Sequence, residues 1–380
     1  MTGDGQRKDP LLRELRSDSQ ARDLHAQMFG RGGGTREQLA VPRAEFRSYY
    51  GRAVLKTPVW EWRIAAYLFT GGLSAGSAML GAGADLTGRP SLRRVSRLSA
   101  LANILVSMYF LIADLGRPER FHHMLRVVKP TSPMSIGTWI LTGYGPGAGL
   151  SGVAELMPKG LRRTWPGKLL GWLARPAGLW AAAFAPGVAS YTAVLLSHTS
   201  VPAWREAHPY LPFVFTGSAA ASGGGLGMLL APVDEAGPAR RLALAGAGLE
   251  VAASRLLEQR LGLEAEAYTT GKAHRLRKWS EYLTVGGALG TAVAGRSRTA
   301  AALSGAALLT GSALQRFGVF EAGIESTRDP RYVVVPQRER LEAGRPARGD
   351  DRGPQFQRLV AATRNLRAAA GRVMAGSGRH

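Results

Sequence analysis

Between Trp60 and Leu314 the chain is a succession of apolar segments, and their average length is close to the ~20 residues needed to cross a bilayer. No other feature narrows the fold as far. Eight spans are expected, at about 62–84, 95–114, 134–156, 172–197, 209–231, 239–257, 276–295 and 298–315, the sixth and eighth being short and Ala-rich. The expected fold class is an all-α membrane protein of about eight transmembrane helices. A faint repeat sets Leu68–Gly76 (LFTGGLSAG) against Val214–Gly224 (VFTGSAAASGG). If it is real, the core is two four-helix bundles of the same orientation, a parallel repeat. Small residues one turn apart, Gly72 with Gly76 and Gly223 with Gly227, would let helix backbones approach closely. The same Gly and Ala content would also follow from a GC-rich genome.

The ends of the chain differ from its middle. Positions 1–57 and 317–380 are polar, Arg-rich tails, and they pull the mean hydropathy toward zero. The expected division is a basic, largely disordered tail over 1–57, a membrane domain over 58–316 and a second basic tail over 317–380. Leu11–Leu24 has the pattern of a short amphipathic helix or of a disordered basic arm. No apolar run near the start predicts a cleavable signal peptide. The formal charge of +22 fits cytoplasmic tails that meet anionic lipid, and no nucleic-acid partner is expected. With eight spans both termini share one side with the 114–133, 199–208 and 258–275 loops. The tails make that side the cytoplasmic one, although the short loops alone are nearly balanced. The chain has no Cys, so it holds no thiolate-ligated iron–sulfur cluster, no covalently attached c-type haem and no disulfide.

The connection Asp114–Pro133 (DLGRPERFHHMLRVVKPTSP) is too charged for hydrocarbon, yet short and Pro-punctuated. Titratable groups at a membrane boundary are costly and tend to mark ion, proton or substrate chemistry. Asp114 could pair with Arg117 or Arg120 and merely fix the loop. Thr131 or Ser132 could cap the next span. His122 and His123 are the loop's imidazoles, either functional or simply facing solvent or a partner. Deeper in the chain, Glu250 is a carboxylate in the middle of the sixth segment. It is either on a proton path or neutralised by protonation or by Arg255.

The stretch from Asp114 to Leu141 resembles the NrfD/PsrC family, the membrane subunits of polysulfide-reductase-like complexes. Tyr67–Leu80 (YLFTGGLSAGSAML), Tyr191–Trp204 (YTAVLLSHTSVPAW) and Glu325–Arg340 (ESTRDPRYVVVPQRER) look like the same family, in the same order. The resemblance implies eight spans, no haem or metal in this chain, and a quinone or quinol of menaquinone or ubiquinone type. It also implies electron exchange with a ferredoxin-like iron–sulfur subunit and, through it, a molybdopterin-type or other catalytic subunit. Such a chain is a membrane anchor subunit, not a catalyst by itself.

Quinol oxidation releases two protons and two electrons, so its site needs hydrogen-bonding or titratable groups at each oxygen. On the resemblance, the candidate quinone-binding residues are Tyr67, Asp114, His122, His123, Lys129, Thr131 and Ser132. In some family members a His occupies the place of Tyr67; a Tyr still donates a hydrogen bond but is a poor base. A proton path would use Glu250, with Tyr191 and His198 two turns apart on one helix face. Trp139 and Tyr144 fit packing better than chemistry. No metal ligands are expected. A secondary transporter or a proton-translocating protein without a redox role is the competing reading, from the Gly-rich spans, the repeat and Glu250. A basic scaffold is a third, for which eight spans would be excessive.

Overall fold

The computed structural model describes residues 53–342; the Leu11–Leu24 segment and most of both tails lie outside these residues. Eight long helices carry the fold: α1 (Trp62–Leu86), α2 (Pro90–Ala113), α3 (Pro133–Leu156), α4 (Trp165–Ser197), α5 (Leu211–Leu230), α6 (Gly237–Arg260), α7 (Gly271–Gly290) and α8 (Arg298–Arg328). A shorter α9 (Arg331–Glu342) follows. Each long helix overlaps one of the expected apolar segments. Among the described residues, α1, α2, α4 and α5 are long and apolar enough to cross a membrane on length and composition alone. The other four are richer in charged residues or, in α3, in glycine.

Local chemistry sets the helix starts. Pro90 and Pro133 occupy first-turn positions, where a missing N–H costs nothing. The Ser132 side chain accepts from the Ser135 N–H at 3.5 Å, as expected for a cap, and Thr164 does the same for Gly167 at 3.4 Å. That Thr164 cap starts α4 at Trp165 rather than near residue 172. At the other end of the chain, α8 does not stop near residue 315. Gln315 and Arg316 are buried inside the bundle, so their polarity marks no boundary, and the helix runs on to Arg328.

Consecutive helices pair antiparallel into two bundles, α1–α4 and α5–α8. In the α1–α2 pair, Ser74 Oγ donates to Ala100 O at 2.7 Å and Ser77 Oγ meets Ser99 Oγ at 2.9 Å. Glycines bring the other pairs together. A Cβ on Gly147 would lie 2.7 Å from Ala177 O, one on Gly217 2.5 Å from Glu250 N, and one on Gly311 2.6 Å from Thr284 Oγ1.

The bundles join where α1 and α5 lie side by side and parallel. Gly72 faces Ala219, Gly76 packs backbone to backbone against Ala219 and Gly223, and Leu80 reaches Gly227. These residues belong to or continue the two copies of the faint repeat. Trp204, fully buried in the connection after α4, closes one end of this junction. Its Nε1 donates to Val319 O at 2.8 Å, and its ring stacks on Trp60 at 5.8 Å and lies against Gly323. At the opposite end Glu235, in the α5–α6 connection, caps the start of α2. It accepts from the Ser91 and Leu92 N–H groups at 2.7 and 3.0 Å and from Ser91 Oγ at 2.7 Å.

Two outcomes follow from these contacts. Gly76→Leu is expected to push α1 from α5 and destabilise the fold by about 1–3 kcal/mol, read as a lower thermal midpoint in detergent. Gly83→Leu, where a Cβ meets nothing within 4 Å, should leave that midpoint unmoved. For Glu235, desolvation opposes the charge. The Leu92 and Ser91 hydrogen bonds and nearby Arg89 outweigh it and hold the carboxyl below its ordinary value. Its contribution is therefore present above the unfolded value of roughly 4.3 and is lost as pH falls through the folded one. Glu235→Ala should lower the midpoint at neutral pH and converge with the parent in acid.

Candidate functional site

The charged connection between α2 and α3 is short and folded. Asp114 is the C-cap of α2, its N–H bonded to Phe110 O at 3.2 Å, and Arg63 of α1 donates to the neighbouring Ala113 O at 3.3 Å. A 3₁₀ helix, Pro118–Leu125, then presents His122 and His123 at the surface, with their rings edge to face at 4.5 Å. Partial desolvation and the charges of Arg126, His122 and Arg120 hold the His123 imidazole below the usual histidine range. The chain turns back through Lys129, Thr131 and Ser132. Ser135 Oγ pins this turn, accepting from the Lys129 N–H and donating to Val127 O, both at 3.0 Å.

Beside that turn lies an apolar groove of ≈ 270 Å³, walled by Val128, Pro130, Ile136, Trp139, Ile140 and Phe184 with Lys129 at its edge. Of the residues expected around a quinone, Lys129 lines this groove. Ser132 caps α3, and Thr131, His122 and His123 are exposed. Tyr67 is buried in α1, and its backbone O accepts from Ser107 Oγ of α2 at 3.3 Å. Trp139, expected only to pack, is a wall of the groove. No spacing in the sequence announces that wall, because Phe184 comes from α4. Tyr144 packs in the first bundle as expected, its OH donating to Ser74 O at 2.9 Å.

Charge is also buried away from this loop. In the first bundle, Arg97 Nη1 meets Glu155 Oε1 at 3.1 Å and its Nη2 meets Asp85 Oδ2 at 3.4 Å. Arg93 bridges the same two carboxylates. In the second bundle, Glu250 is 2% exposed, and neither of its carboxylate oxygens has a hydrogen-bond partner among the described residues. The cation that acts on it is Arg316 of α8, which is 1% exposed. Arg255, the partner considered from the sequence, turns instead to Glu281 of α7 at 2.8 Å. Arg316 Nη2 donates to Phe215 O at 2.6 Å, and its guanidinium lies 3.7 Å from the Phe215 ring centroid. A Cβ on Gly72 of α1 would come within 2.9 Å of the same nitrogen. Arg316 therefore reaches from the second bundle to the first. Sequence reasoning missed it by ending the eighth segment one residue too early.

Tyr191 and His198 do not join Glu250. Tyr191 is buried in α4 against Gly137 of α3, its OH without a hydrogen-bond partner among the described residues, and His198 is the exposed C-cap of the same helix. Among the described residues no group of three or more His, Asp or Glu side chains is placed to hold a metal ion.

Residues 53–237, which contain α1 to α5, match the family model described as polysulphide reductase, NrfD. Over 181 residues the sequence is 32% identical to the C chain of polysulfide reductase from Wolinella succinogenes, a match covering 44% of this protein and 56% of that one. Over 79 residues it is 33% identical to the C subunit of selenate reductase from Mesobacillus selenatarsenatis, covering 20% of this protein and 18% of that one. The likeness thus spans about half the length of the first relative and under a fifth of the second. The helical architecture, the apolar helices and the matched residues agree, and the chain belongs, through residues 53–237, to the NrfD family of integral membrane proteins.

Proposed function

We propose that this protein is the quinone-reactive membrane subunit of a multi-subunit reductase. It exchanges electrons with a ferredoxin-like iron–sulfur subunit and, through it, with a molybdopterin-type or other catalytic subunit. The observation that carries this reading is the groove beside the 114–132 connection, apolar along its walls and bordered by Lys129. A quinone needs that combination, a slot for its ring and tail and a polar edge for its oxygens. The names of the relatives support a reductase complex. In this reading all eight long helices cross the membrane, and both termini and the 114–132 connection face the cytoplasm, following the basic tails.

When bound, the quinone supplies two-electron, two-proton chemistry. The chain's own part is to hold and orient it and to move protons. Ile136, Trp139, Ile140 and Phe184 exclude water from the ring. Lys129 Nζ donates a hydrogen bond at the groove's edge, and Asp114 and the His122 and His123 imidazoles take protons at the membrane boundary. Thr131 and Ser132 hold the turn that carries Lys129. Electrons leave for the partner on the same side, because this chain has no cysteine to bind a cluster through thiolates. Glu250, in the second bundle, handles protons away from the groove. That feature also favours a second reading, proton translocation without a redox role.

Purification of the tagged protein from its own membranes in mild detergent, followed by low-temperature electron paramagnetic resonance, separates the two. A co-purifying iron–sulfur signal that shifts on adding a quinol-site inhibitor is the expected result. A protein that purifies alone, with neither signal nor quinone, would sink the redox reading. Within an assembled complex, Ile136→Trp should fill the groove and lower quinol-linked turnover roughly 10- to 100-fold by misplacing the reacting ring. Unchanged turnover with full assembly would move the site elsewhere.

A further inference from the structure

The second bundle holds a feature that the groove does not use. A cleft of ≈ 140 Å³ runs between α6 and α7 toward Glu250. Ser254, Glu258, His274, Thr284 and Gln315 line it, and Glu250 ends it. All of its lining residues but Val251 carry a polar side chain, unlike those of the groove beside Lys129. Most of these groups are tied to one another. Gln315 Nε2 donates to Ser254 Oγ at 3.0 Å, and Arg277 Nη2 meets Glu258 Oε1 at 2.5 Å.

The floor is different. Both Glu250 oxygens and Thr284 Oγ1, on residues that line the cleft, are buried without a protein hydrogen-bond partner among the described residues, and so are Nε and Nη1 of Arg316, the cation that acts on Glu250 from outside the lining. Leaving one such group unsatisfied is costly, and more so for a charged one. Atoms left open in this way call for water, and a polar cleft of this size can hold several waters. Thr269 and His274, which line it, lie where α6 finishes and α7 begins, and Glu250 and Thr284 lie deeper along the two helices. Helices α2, α4, α6 and α8 alternate with the others, so this end is the side that bears the 114–132 connection. The residues involved on α6, α7 and α8 lie beyond residue 237, outside the span of the family match.

We propose that this cleft is a hydrated proton inlet, open on the side of the 114–132 connection, that loads the Glu250 carboxylate. It rests on the reading of Glu250 as a proton-handling group. One proton passes from water onto a carboxylate oxygen, turning –COO⁻ into –COOH, and no electron moves. Of the helices around Glu250, α5 packs on it through Gly217 and carries no charge, and the charged groups come from the other three. Arg255 and Glu258 come from α6, His274, Arg277, Lys278 and Glu281 from α7, and Arg316 from α8. Arg255–Glu281 and Arg277–Glu258 are closed pairs in the cleft, and the cation that acts on Glu250 is Arg316. Protonating Glu250 leaves Arg316 without its counter-charge. Because Arg316 also touches α1 at Gly72, the loaded state is felt in the first bundle.

The absence of native cysteine makes the test direct. Ser254→Cys, Thr284→Cys, the rim variant Glu258→Cys and the lipid-facing control Leu256→Cys are made in the full chain in membrane vesicles. Each is treated with a small charged methanethiosulfonate. Ser254→Cys and Thr284→Cys should react from one face only, and about tenfold or more faster than Leu256→Cys, since only a hydrated thiol ionises. In the parent protein, a carbodiimide should add to the protonated Glu250 carboxyl, seen as a peptide mass shift that fades as pH rises. Reaction at Glu258→Cys with none at Ser254→Cys or Thr284→Cys would make the cleft dry and overturn the inlet. Labelling of the cleft with no carbodiimide adduct on Glu250 at any pH would overturn the proton step. Neither readout needs quinone or a partner subunit, so each can fail while the redox reading stands, and the reverse.

Discussion

The backbone contact between α1 and α5 is what the two halves depend on. Gly76 and Gly223 remove the side chains that would hold two helices 8–10 Å apart, so main chain meets main chain along several turns. In lipid there is no hydrophobic drive to press apolar helices together, and close dispersion contact must do it. Everything else that joins the bundles uses this proximity. Arg316 can reach Gly72 only because no side chain stands there, and Phe215 holds the guanidinium from the other side.

Around that seam, polar groups are arranged by depth. Hydroxyls that satisfy one another or a carbonyl occupy the first bundle, as in the Ser74, Tyr144 and Ala100 set. The Asp85, Glu155, Arg93 and Arg97 ion cluster sits toward the end where α1 gives way to α2. A buried ion network of this kind adds little net stability over an apolar core, but it penalises any arrangement that leaves one member alone. In the second bundle the open atoms include charged groups at depth, Glu250 and Arg316 carrying oxygens and nitrogens without a hydrogen-bond partner among the described residues. Strain of that sort concentrates where a protein exchanges something with its surroundings.

Much of this was readable beforehand, for identifiable reasons. Runs of apolar and small residues located all eight long helices, although only α1, α2, α4 and α5 are apolar enough over their length to cross a membrane on composition alone. The LFTGG and VFTGS echo pointed to two like halves, and those residues meet at the seam. The groove was not readable, since Phe184 and Trp139 converge only after α3 and α4 pair. Arg316 was hidden for a different reason. A charge at the edge of an apolar run reads as its end, yet here Gly72 on the facing helix leaves room for the guanidinium to turn inward. Arg255 misled in the opposite direction, being one turn from Glu250 in sequence but directed at α7. Helical spacing could put Tyr191 and His198 on one face of α4, but it says nothing about the bundle in which Glu250 lies.

Trp204 carries a consequence for how the protein is made. Its slot is built by Val319 and Gly323 of α8, and the hydrogen bond to Val319 O spans 115 residues of sequence. At roughly 5–20 residues per second of synthesis, the indole waits on the order of ten seconds for its acceptor. Until then the connection after α4 has nowhere to bury its largest side chain, and Trp60 lacks its stacking partner's final position. The first bundle can therefore be inserted and paired while its lid stays loose. Closure of that end is a late event, set by the arrival of the last long helix at the membrane.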